Sequence, residues 1–476
     1  MNKVKGLPII SSLIPLILLI ILLAYNVFVF GDNALSGSNQ FILLIGASIA
    51  AIVGFYYKVS YKDMLSKVAD NFQSVAGAIL ILLFVGALAG TWLASGIIPA
   101  MIYYGLKILH PSIFLPSCII ICSIISLATG SSWTTSATVG IALIGIGKAL
   151  GLPPGMIAGA VISGAYFGDK LSPLSDTTNL APAMSGGDLF NHIKYMTLTT
   201  VPSILITIIV FVILGFFQEE KGAADILTLL KNIELKFNIN YWLFIVPASV
   251  IFLISKKTPP LIALLAGTIL GAIFALIFQP NIVLALSGEN IYNFSSAYKG
   301  ILNAITIGTQ IETENQLLYD LFSSGGMKGM LDTIWLIICA MVFGGVMEAI
   351  GALTSITNTL LSWAKSTFQL FASTVATCLT INLTASDQYL AIVIPGKMFS
   401  KAYKDRNLAP ENLSRTLEDS GTVTSALIPW NTCGAYQSSV LNVGVSEYFL
   451  YAIFNWISPF MTLLYAALKI KIRSLK

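Results

Sequence analysis

The sequence predicts an all-α polytopic membrane protein built from two inverted repeats with re-entrant hairpins and broken helices. Hydrophobic residues make up 56% of the chain and charged residues only 10%, which is far from the balance of soluble proteins. Apolar runs recur along the sequence, and many approach the ~20 residues that an α-helix needs to cross the hydrocarbon core. Polar runs with prolines and acids interrupt two of the apolar segments. Such interruptions are tolerated at membrane depth only where protein or a wet cavity encloses them.

Lysine and arginine positions predict the topology, because short cytoplasmic loops carry an excess of both. The positive segments, which are predicted to be cytoplasmic together with both termini, are 3–5, 58–67, 256–257, 397–406 and 469–476. The segments predicted to be external are 31–40 (with Asp32), 218–240 and 279–329. This threading gives about ten crossings and two hairpins. The predicted crossings are 9–30, 41–57, 76–94, 156–184, 196–217, 241–254, 260–278, 331–353, 412–441 and 448–468, and the hairpins are 112–149 and 367–400.

The two halves of the chain are predicted to mirror each other in opposite orientations. A shift of 256 residues brings both hairpin tips and both interrupted segments into register. Inverted repeats with interrupted helices at matching positions are typical of secondary transporters with a site near the bilayer midplane. The predicted parts are an N-terminal helix and external loop at 1–40, inverted repeat 1 at 41–217, a connecting helix and loops at 218–258, and inverted repeat 2 at 259–476 with the external insertion 279–329.

Four polar elements are expected to converge at this site. They are the hairpin tips 129–135 and 382–388 and the broken helices 168–182 and 418–432. Carboxylate, hydroxyl, amide and carbonyl oxygens suit hard cations such as Na⁺, and unwound helices add carbonyls and favourable dipoles. The alternative is structural: the hydroxyls of the first tip form a one-turn cap, or one acid merely pairs with Lys170 or Lys397.

The candidate site residues follow from these four elements. The candidate proton- or ion-coupling carboxylates are Asp169, Asp176, Asp387 and Asp419. The candidate cation-coordinating side chains are Ser132, Thr135, Thr177, Thr178, Asn179, Asn382, Thr384, Thr422, Asn431 and Thr432. Glu348 is a separate acid in the crossing 331–353, with no cation nearby in sequence. An intramembrane acid is a candidate proton carrier, and the alternative is a protonated side chain that hydrogen-bonds another helix.

Several function classes lack the residues that they need. The chain has no HExxH, GxxxxGK[ST] or GxGxxG motif, which argues against a metalloprotease and against an ATP-driven pump. The sequence shows no nucleophile–base pair that would indicate an enzyme, and no cofactor is expected. The net charge of +4 comes mainly from lysines that flank apolar runs, so nucleic acid is not an expected partner. Arginine is scarce, whereas a carboxylate substrate usually takes an arginine fork; helix N-termini with a co-bound Na⁺ are the exception.

Several motifs resemble those of the NhaC-type sodium/proton antiporters, over essentially the whole chain. They are Gly164-Ala-Tyr-Phe-Gly-Asp-Lys-Leu-Ser-Pro-Leu-Ser-Asp-Thr-Thr-Asn-Leu-Ala-Pro182, Gly130-Ser-Ser-Trp-Thr-Thr135, Asp387-Gln-Tyr389, Pro395-Gly-Lys397 and Glu418-Asp-Ser-Gly-Thr-Val-Thr-Ser-Ala-Leu-Ile-Pro-Trp-Asn-Thr432. The resemblance implies a bacterial inner-membrane antiporter with inverted repeats, a dimerising scaffold and an elevator-like transport domain. It also implies a homodimer in a lipid bilayer. Some close relatives resemble malate/lactate exchangers, so the resemblance leaves the substrate open.

The leading hypothesis is secondary-active Na⁺/H⁺ antiport, in which cytoplasmic Na⁺ is exchanged for external H⁺ by alternating access. Na⁺ and H⁺ are then the transported ions and the expected small partners. The runner-up is a Na⁺- and H⁺-coupled carboxylate exchanger for malate or lactate. An ion channel is a third class, but the buried acids and broken repeats give no continuous pore signature.

Overall fold

The computed structural model describes residues 7–30, 34, 36–217, 223–313 and 315–475. Some residues used in the predicted topology lie outside the described residues. They are Lys3, Lys5, Asp32, Lys476 and the segment 218–222.

Within these residues the chain is almost entirely helical. The first twelve described helices are α1 (Ile9–Phe30), α2 (Ser38–Tyr56), α3 (Tyr61–Ala94), α4 (Ile97–Ile108), α5 (Pro111–Thr129), α6 (Ser132–Thr135), α7 (Ile141–Ala149), α8 (Pro154–Leu171), α9 (Asp176–Ser185), α10 (Leu189–Phe216), α11 (Ala223–Lys236) and α12 (Ile245–Ser255). The later helices are α13 (Pro260–Phe278), α14 (Pro280–Ser287), α15 (Phe294–Thr306), α16 (Gln316–Leu321), α17 (Leu331–Ala349), α18 (Ala352–Ser362), α19 (Thr367–Thr384), α20 (Gln388–Asp405), α21 (Pro410–Leu417), α22 (Thr432–Leu441), α23 (Val445–Tyr448) and α24 (Ile453–Ala467).

Short irregular elements connect some of these helices. The π-helical turns Ser136–Gly140 and Glu418–Thr422 follow α6 and α21. The 3₁₀ turns are Tyr241–Phe244, Lys328–Met330 and Val423–Leu427. In the insertion between α15 and α17, strands β1 (Thr309–Gln310) and β2 (Ser323–Ser324) form a small antiparallel ribbon.

The described residues contain seven helices that are long and apolar enough to cross a membrane by themselves. They are α1, α2, α3, α5, α10, α13 and α17 with its preceding turn. The pair Ile226–Lys236 and Tyr241–Ser255 is bent by 89° and makes an eighth if it forms one span. The chain is therefore an all-α multi-pass membrane protein, as predicted. The count of about ten crossings and the inverted relation of the halves stay predictions.

The first hairpin bends at Gly130, between α5 and α6. Gly130 has a φ of 68°, a left-handed conformation that glycine adopts without a steric penalty. A Cβ atom at Gly130 would lie 2.6 Å from the Leu174 Cβ and 2.9 Å from the Ser175 backbone nitrogen. The first hairpin tip therefore lies directly against the break between α8 and α9.

Helix α8 reaches this position because it packs closely against α5. Gly164 and Gly168 form a GxxxG pair on α8, and a Cβ atom at either position would lie 2.4 Å from a backbone oxygen of α5, those of Ile119 and Ser123. Small residues at this spacing let two membrane helices approach closely. The α5–α8 pair thus fixes where the first break lies.

The second hairpin tip meets the second break in a comparable way. Ser386, between α19 and α20, has a φ of 59°, and its carbonyl accepts a 3.0 Å hydrogen bond from the Thr432 amide. Thr432 begins α22, just after the break that follows the Val423–Leu427 turn. In both halves, a hairpin tip lies against a helix break.

Candidate ion-binding site

The two hairpin tips and the two breaks surround a cavity of about 640 Å³. The remaining wall comes from α3, between Ser74 and Ile81, and from the α12–α13 connection, which includes Lys257. Three of the four predicted aspartates line this cavity, namely Asp169, Asp176 and Asp387. The cavity therefore joins carboxylates from both halves of the sequence.

Asp169 connects the first tip to the first break. Its Oδ2 accepts hydrogen bonds from the Ser132 amide at 3.0 Å and from the Ser132 hydroxyl at 2.7 Å. The residue is only 9% exposed, although it still lines the cavity. Thr129 lines the same wall, and its buried hydroxyl has no hydrogen-bond partner among the described residues. A hydroxyl oxygen without a partner can accept a hydrogen bond or coordinate a cation.

Asp176 and Asp387 stand at the first turns of two helices that face the cavity. Asp176 is solvent-exposed and begins α9, where the positive end of the helix dipole favours a negative charge. Asp387 is 3% exposed and caps α20, because its Oδ1 accepts a 3.0 Å hydrogen bond from the Leu390 amide. The Tyr389 phenol lies within electrostatic range of all three carboxylates.

Asp419 has a different environment. It is fully buried, forms an ion pair with Lys170, and does not line the cavity. Its Oδ2 accepts hydrogen bonds from the Thr199 hydroxyl at 2.9 Å and from the Thr462 hydroxyl. The structural alternative, in which one acid pairs with Lys170, therefore describes the observed contacts of Asp419.

The predicted hydroxyl and amide residues divide into two groups. Thr177 and Thr432 line the cavity, and Ser132 binds Asp169. The others hold the tips and breaks in place. The Thr178 hydroxyl donates to the Asp169 and Lys170 carbonyls, and the Asn179 amide, although exposed, donates to the Pro173 and Ser175 carbonyls.

The remaining predicted side chains are engaged mainly with backbone. Thr135 and Thr384 donate to carbonyls one turn earlier, those of Ser131 and Thr380. Thr422 is buried, and its hydroxyl has no hydrogen-bond partner in the structure.

An amide network joins the second tip to the second break. The Asn382 side chain donates to the Gly421 carbonyl at 2.7 Å, and the Asn431 side chain donates to the Asn382 carbonyl at 3.1 Å. These contacts position the second break against the second tip.

Glu348 lies apart from this cavity. Its carboxylate is 2.9 Å from the Lys67 ammonium group, and Lys67 also lies 3.4 Å from Asp70. Its partner is thus a cation on α3, which is remote in sequence. Whether Glu348 carries a proton stays a prediction.

The chemistry of the cavity suits a cation held by mixed oxygen ligands. Among the described residues, no three Asp, Glu, His or Cys side chains are close enough to hold one metal ion. A cation here would take one or two carboxylates and complete its shell with hydroxyl and carbonyl oxygens, which is ordinary coordination for hard ions.

Comparison with known proteins assigns the chain to a family. A family model described as "Na+/H+ antiporter family" matches residues 164–470, which is more than half of the sequence. The chain belongs to the Na⁺/H⁺ antiporter family. The resemblance to NhaC-type antiporters is thereby confirmed.

Three curated relatives cover most of their own length and most of this chain. The Na(+)/H(+) antiporter NhaC of Alkalihalophilus pseudofirmus is 38% identical over 428 residues, covering 90% of each protein. The malate-2H(+)/Na(+)-lactate antiporter of Bacillus subtilis is 38% identical over 422 residues, covering 88% of this chain and 86% of that protein. The NhaC antiporter of Bacillus subtilis is 35% identical over 429 residues, covering 90% and 92%.

Some residues of the cavity wall are not among the candidate site residues predicted from the sequence. The indole ring of Trp133 lines the cavity and stacks on Tyr436 with ring centroids 3.9 Å apart, and the Tyr436 hydroxyl donates to the Trp133 carbonyl. Trp133 and Tyr389 lie inside the quoted motifs, so the motifs themselves were the available signal. No local motif indicated that α3 and Lys257 line the cavity, because a local motif does not specify how helices pack side by side.

Proposed function

We propose that this protein is a secondary-active antiporter that exchanges cytoplasmic Na⁺ for external H⁺. One observation carries the proposal: Asp169, Asp176 and Asp387 line a single cavity, beside a buried hydroxyl with no partner. None of the described residues that line it is arginine. Family membership supports the same activity, since two of the relatives reported above bear the name Na(+)/H(+) antiporter.

In this proposal Asp169 and the first tip form the principal Na⁺ site. Asp169 would contribute a carboxylate oxygen to the ion, and Thr129 would contribute its hydroxyl oxygen. A bound proton and a bound Na⁺ each add one positive charge to this region, so the binding of one opposes the binding of the other.

Alternating access would connect this site to the two sides in turn. Lys257 belongs to a loop that the positive-inside rule assigns to the cytoplasm, so the 640 Å³ cavity would be the cytoplasmic entrance. A second cavity, of about 550 Å³, is lined by Pro429, Ala435 and Glu447 beyond the second break, and would belong to the external side. An elevator-like movement of the tips and breaks against α3, in a homodimer in the inner membrane, is the arrangement that the NhaC resemblance implies.

The second candidate function is Na⁺- and H⁺-coupled exchange of a carboxylate. It is favoured by the relative named malate-2H(+)/Na(+)-lactate antiporter and by a cavity volume that leaves room for a small organic anion. Lys257 is the basic residue that lines the cavity, whereas Arg415 is fully buried elsewhere.

Reconstituted protein in proteoliposomes tests both functions. A Na⁺ gradient should drive proton movement, read with an internal pH dye, and Asp169→Asn should lower this flux by about tenfold or more, because a lost charge contact is typically worth more than 1.4 kcal/mol. Asp176→Asn and Asp387→Asn should also impair it, whereas Asp405→Asn, at an exposed position on α20, should not.

Counterflow of labelled malate or lactate separates the two functions. The labelled acid is exchanged in the second function. If it is exchanged, and a Na⁺ gradient drives no proton movement when the acid is left out, the second function replaces Na⁺/H⁺ antiport. Full activity of Asp169→Asn would remove that residue from the site.

A further inference from the structure

Glu418 is a buried acid that the site described above does not use. It is the first residue of the π-helical turn Glu418–Thr422 and has no exposed surface. Neither of its carboxylate oxygens has a hydrogen-bond partner among the residues that the structure describes. An ionised carboxylate in such a place is very costly unless it is paired, so the group holds a proton instead.

The neighbouring charges do not compensate an ionised Glu418. Lys170 is the cation that attracts it, but Lys170 is already paired with Asp419. Because this pair is neutral overall, an ionised Glu418 would leave a net negative charge on the group formed by Lys170, Asp419 and Glu418. Asp169 and Asp419 both repel an ionised Glu418.

Within the described part of the chain, the other elements around the turn supply no second cation in contact with Glu418. Cys378 on α19 and Thr422 on the same turn are uncharged neighbours of Glu418. On α21 the Arg415 guanidinium lies over the Tyr195 ring, 4.5 Å from its centroid. On α24 the Thr462 hydroxyl is used by Asp419.

Glu418 nevertheless lies within electrostatic reach of the cavity. Asp169 and Lys170 are adjacent on α8, so the charge at the cavity wall and the charge beside Glu418 are set by consecutive residues. Burial is the main cost of ionising Glu418, and the Asp169 charge adds to that cost; a Na⁺ ion bound at Asp169 would cancel this added repulsion. One added positive charge would then be balanced by one released proton.

We propose that Glu418 is the proton-binding group that couples proton release to Na⁺ binding at Asp169. This inference rests on the proposed Na⁺/H⁺ antiport. When Na⁺ binds, the O–H bond of the Glu418 carboxyl breaks and the proton leaves to water; when Na⁺ departs, a proton returns. The interior keeps the same net charge in both states, and the two ligands oppose each other with the reciprocity that linkage requires.

The decisive comparison is between wild type, Glu418→Gln and Glu418→Asp in full-length protein reconstituted in proteoliposomes. Two fluxes are measured: exchange of labelled Na⁺ for unlabelled Na⁺, which needs no proton, and Na⁺-driven proton movement. Glu418→Gln should retain Na⁺/Na⁺ exchange and lose Na⁺-driven proton movement. Its apparent Na⁺ affinity should no longer depend on pH, whereas that of the wild type should fall by about tenfold on acidification, a typical size for such coupling.

Two further measurements separate a proton-binding role from a structural one. Infrared difference spectra recorded with and without Na⁺ should show the carbonyl band of a protonated carboxyl group that disappears on Na⁺ binding, and this signal should be missing in Glu418→Gln. Glu418→Asp, which keeps a titratable group, should restore pH-dependent Na⁺ affinity. Glu289→Gln, at an exposed ion pair in the insertion, should behave as wild type.

The outcomes distinguish this inference from the function on which it rests. If the wild type shows no Na⁺-driven proton movement, the proposed antiport fails. If the wild type is active and Glu418→Gln retains proton movement, the infrared signal and the pH dependence, Glu418 is not the coupling group. If Glu418→Gln loses Na⁺/Na⁺ exchange and Glu418→Asp does not recover pH-dependent affinity, the role of Glu418 is structural and the inference is overturned.

Discussion

At the scale of single residues, the contact between Ser132 and Asp169 decides the shape of the candidate site. The serine amide and hydroxyl both donate to the same carboxylate oxygen, at 3.0 and 2.7 Å. Hydrogen bonds to a charged group contribute about 1.5–3 kcal/mol. The hydroxyl thus helps to fix the orientation of the Asp169 carboxylate.

Ser132→Ala therefore has a definite expected effect. The backbone bond remains, but the loss of the hydroxyl bond should weaken apparent Na⁺ affinity by about tenfold or more, since 1.4 kcal/mol corresponds to a factor of ten. The measurement is the Na⁺ concentration dependence of proton movement in proteoliposomes. Ser117→Ala on α5, where an exposed hydroxyl only bonds its own helix, is the matched control. An equal affinity in both variants would contradict a role for the Ser132 hydroxyl at the site.

At the scale of elements, the docking of each hairpin tip on a helix break gives the site its geometry. Gly130 permits this docking in the first half, because a side chain there would meet Leu174 and Ser175. Gly186, at the end of α9, has a similar φ of 79° but no neighbour within 4 Å of a Cβ atom. The two glycines thus share a left-handed backbone conformation and differ in the contacts that a side chain would make.

Gly130→Ala and Gly186→Ala should consequently differ. Both pay the cost of a left-handed alanine, of the order of 1 kcal/mol, but only Gly130→Ala pushes the tip away from the break. We expect a large loss of Na⁺-driven proton movement and a lower midpoint of thermal unfolding in detergent for Gly130→Ala, and a small change for Gly186→Ala. Equal effects in the two variants would mean that tip–break contact does not determine activity.

The sequence predicted these breaks well because their cause is local. Prolines, acids and the Ser-Pro-Leu-Ser run between α8 and α9 cannot continue a lipid-facing helix. Helix ends were predicted less well. The crossing predicted to begin at residue 76 is the 34-residue helix α3 (Tyr61–Ala94), because its charged first turns remain helical outside the apolar segment. There the Ser60 hydroxyl accepts a hydrogen bond from the Asp63 amide, as an N-cap does.

Partners that are distant in sequence were not predictable from one sequence. The convergence of Asp169, Asp176 and Asp387 followed from the register of the two halves, whereas the pairing of Glu348 with Lys67 followed from how α17 packs on α3. Such packing depends on side-chain shape along two helices, which hydrophobic periodicity does not specify. Lys170 was named as a partner only in general terms, and the structure assigns it to Asp419.

At the scale of the whole molecule, the seven apolar spans of the described residues indicate a multi-pass membrane protein. Its orientation in the membrane is predicted from the loop charges alone. Lys257 and Glu447 provide a direct check, because both side chains are exposed and they line different cavities. The five native cysteines are all buried, so a background of unwanted labelling should be small.

Single cysteines at these positions should react from opposite sides. A membrane-impermeant maleimide should label Lys257→Cys in inside-out vesicles and Glu447→Cys in intact cells. The reason is that the positive-inside rule predicts a cytoplasmic position for the loop that contains Lys257. The same labelling pattern for both cysteines would contradict the predicted topology and the assignment of the larger cavity to the cytoplasmic side.

The ion pair between Lys170 and Asp419 has a consequence for movement. These residues are 249 positions apart and come from different halves of the chain, yet both side chains are fully buried. Separating them would leave two isolated charges in a medium that cannot solvate them, at a cost of several kcal/mol for each ion. The first and second helix breaks are therefore tied to one another, and any movement of the kind proposed for alternating access should displace both as one rigid unit.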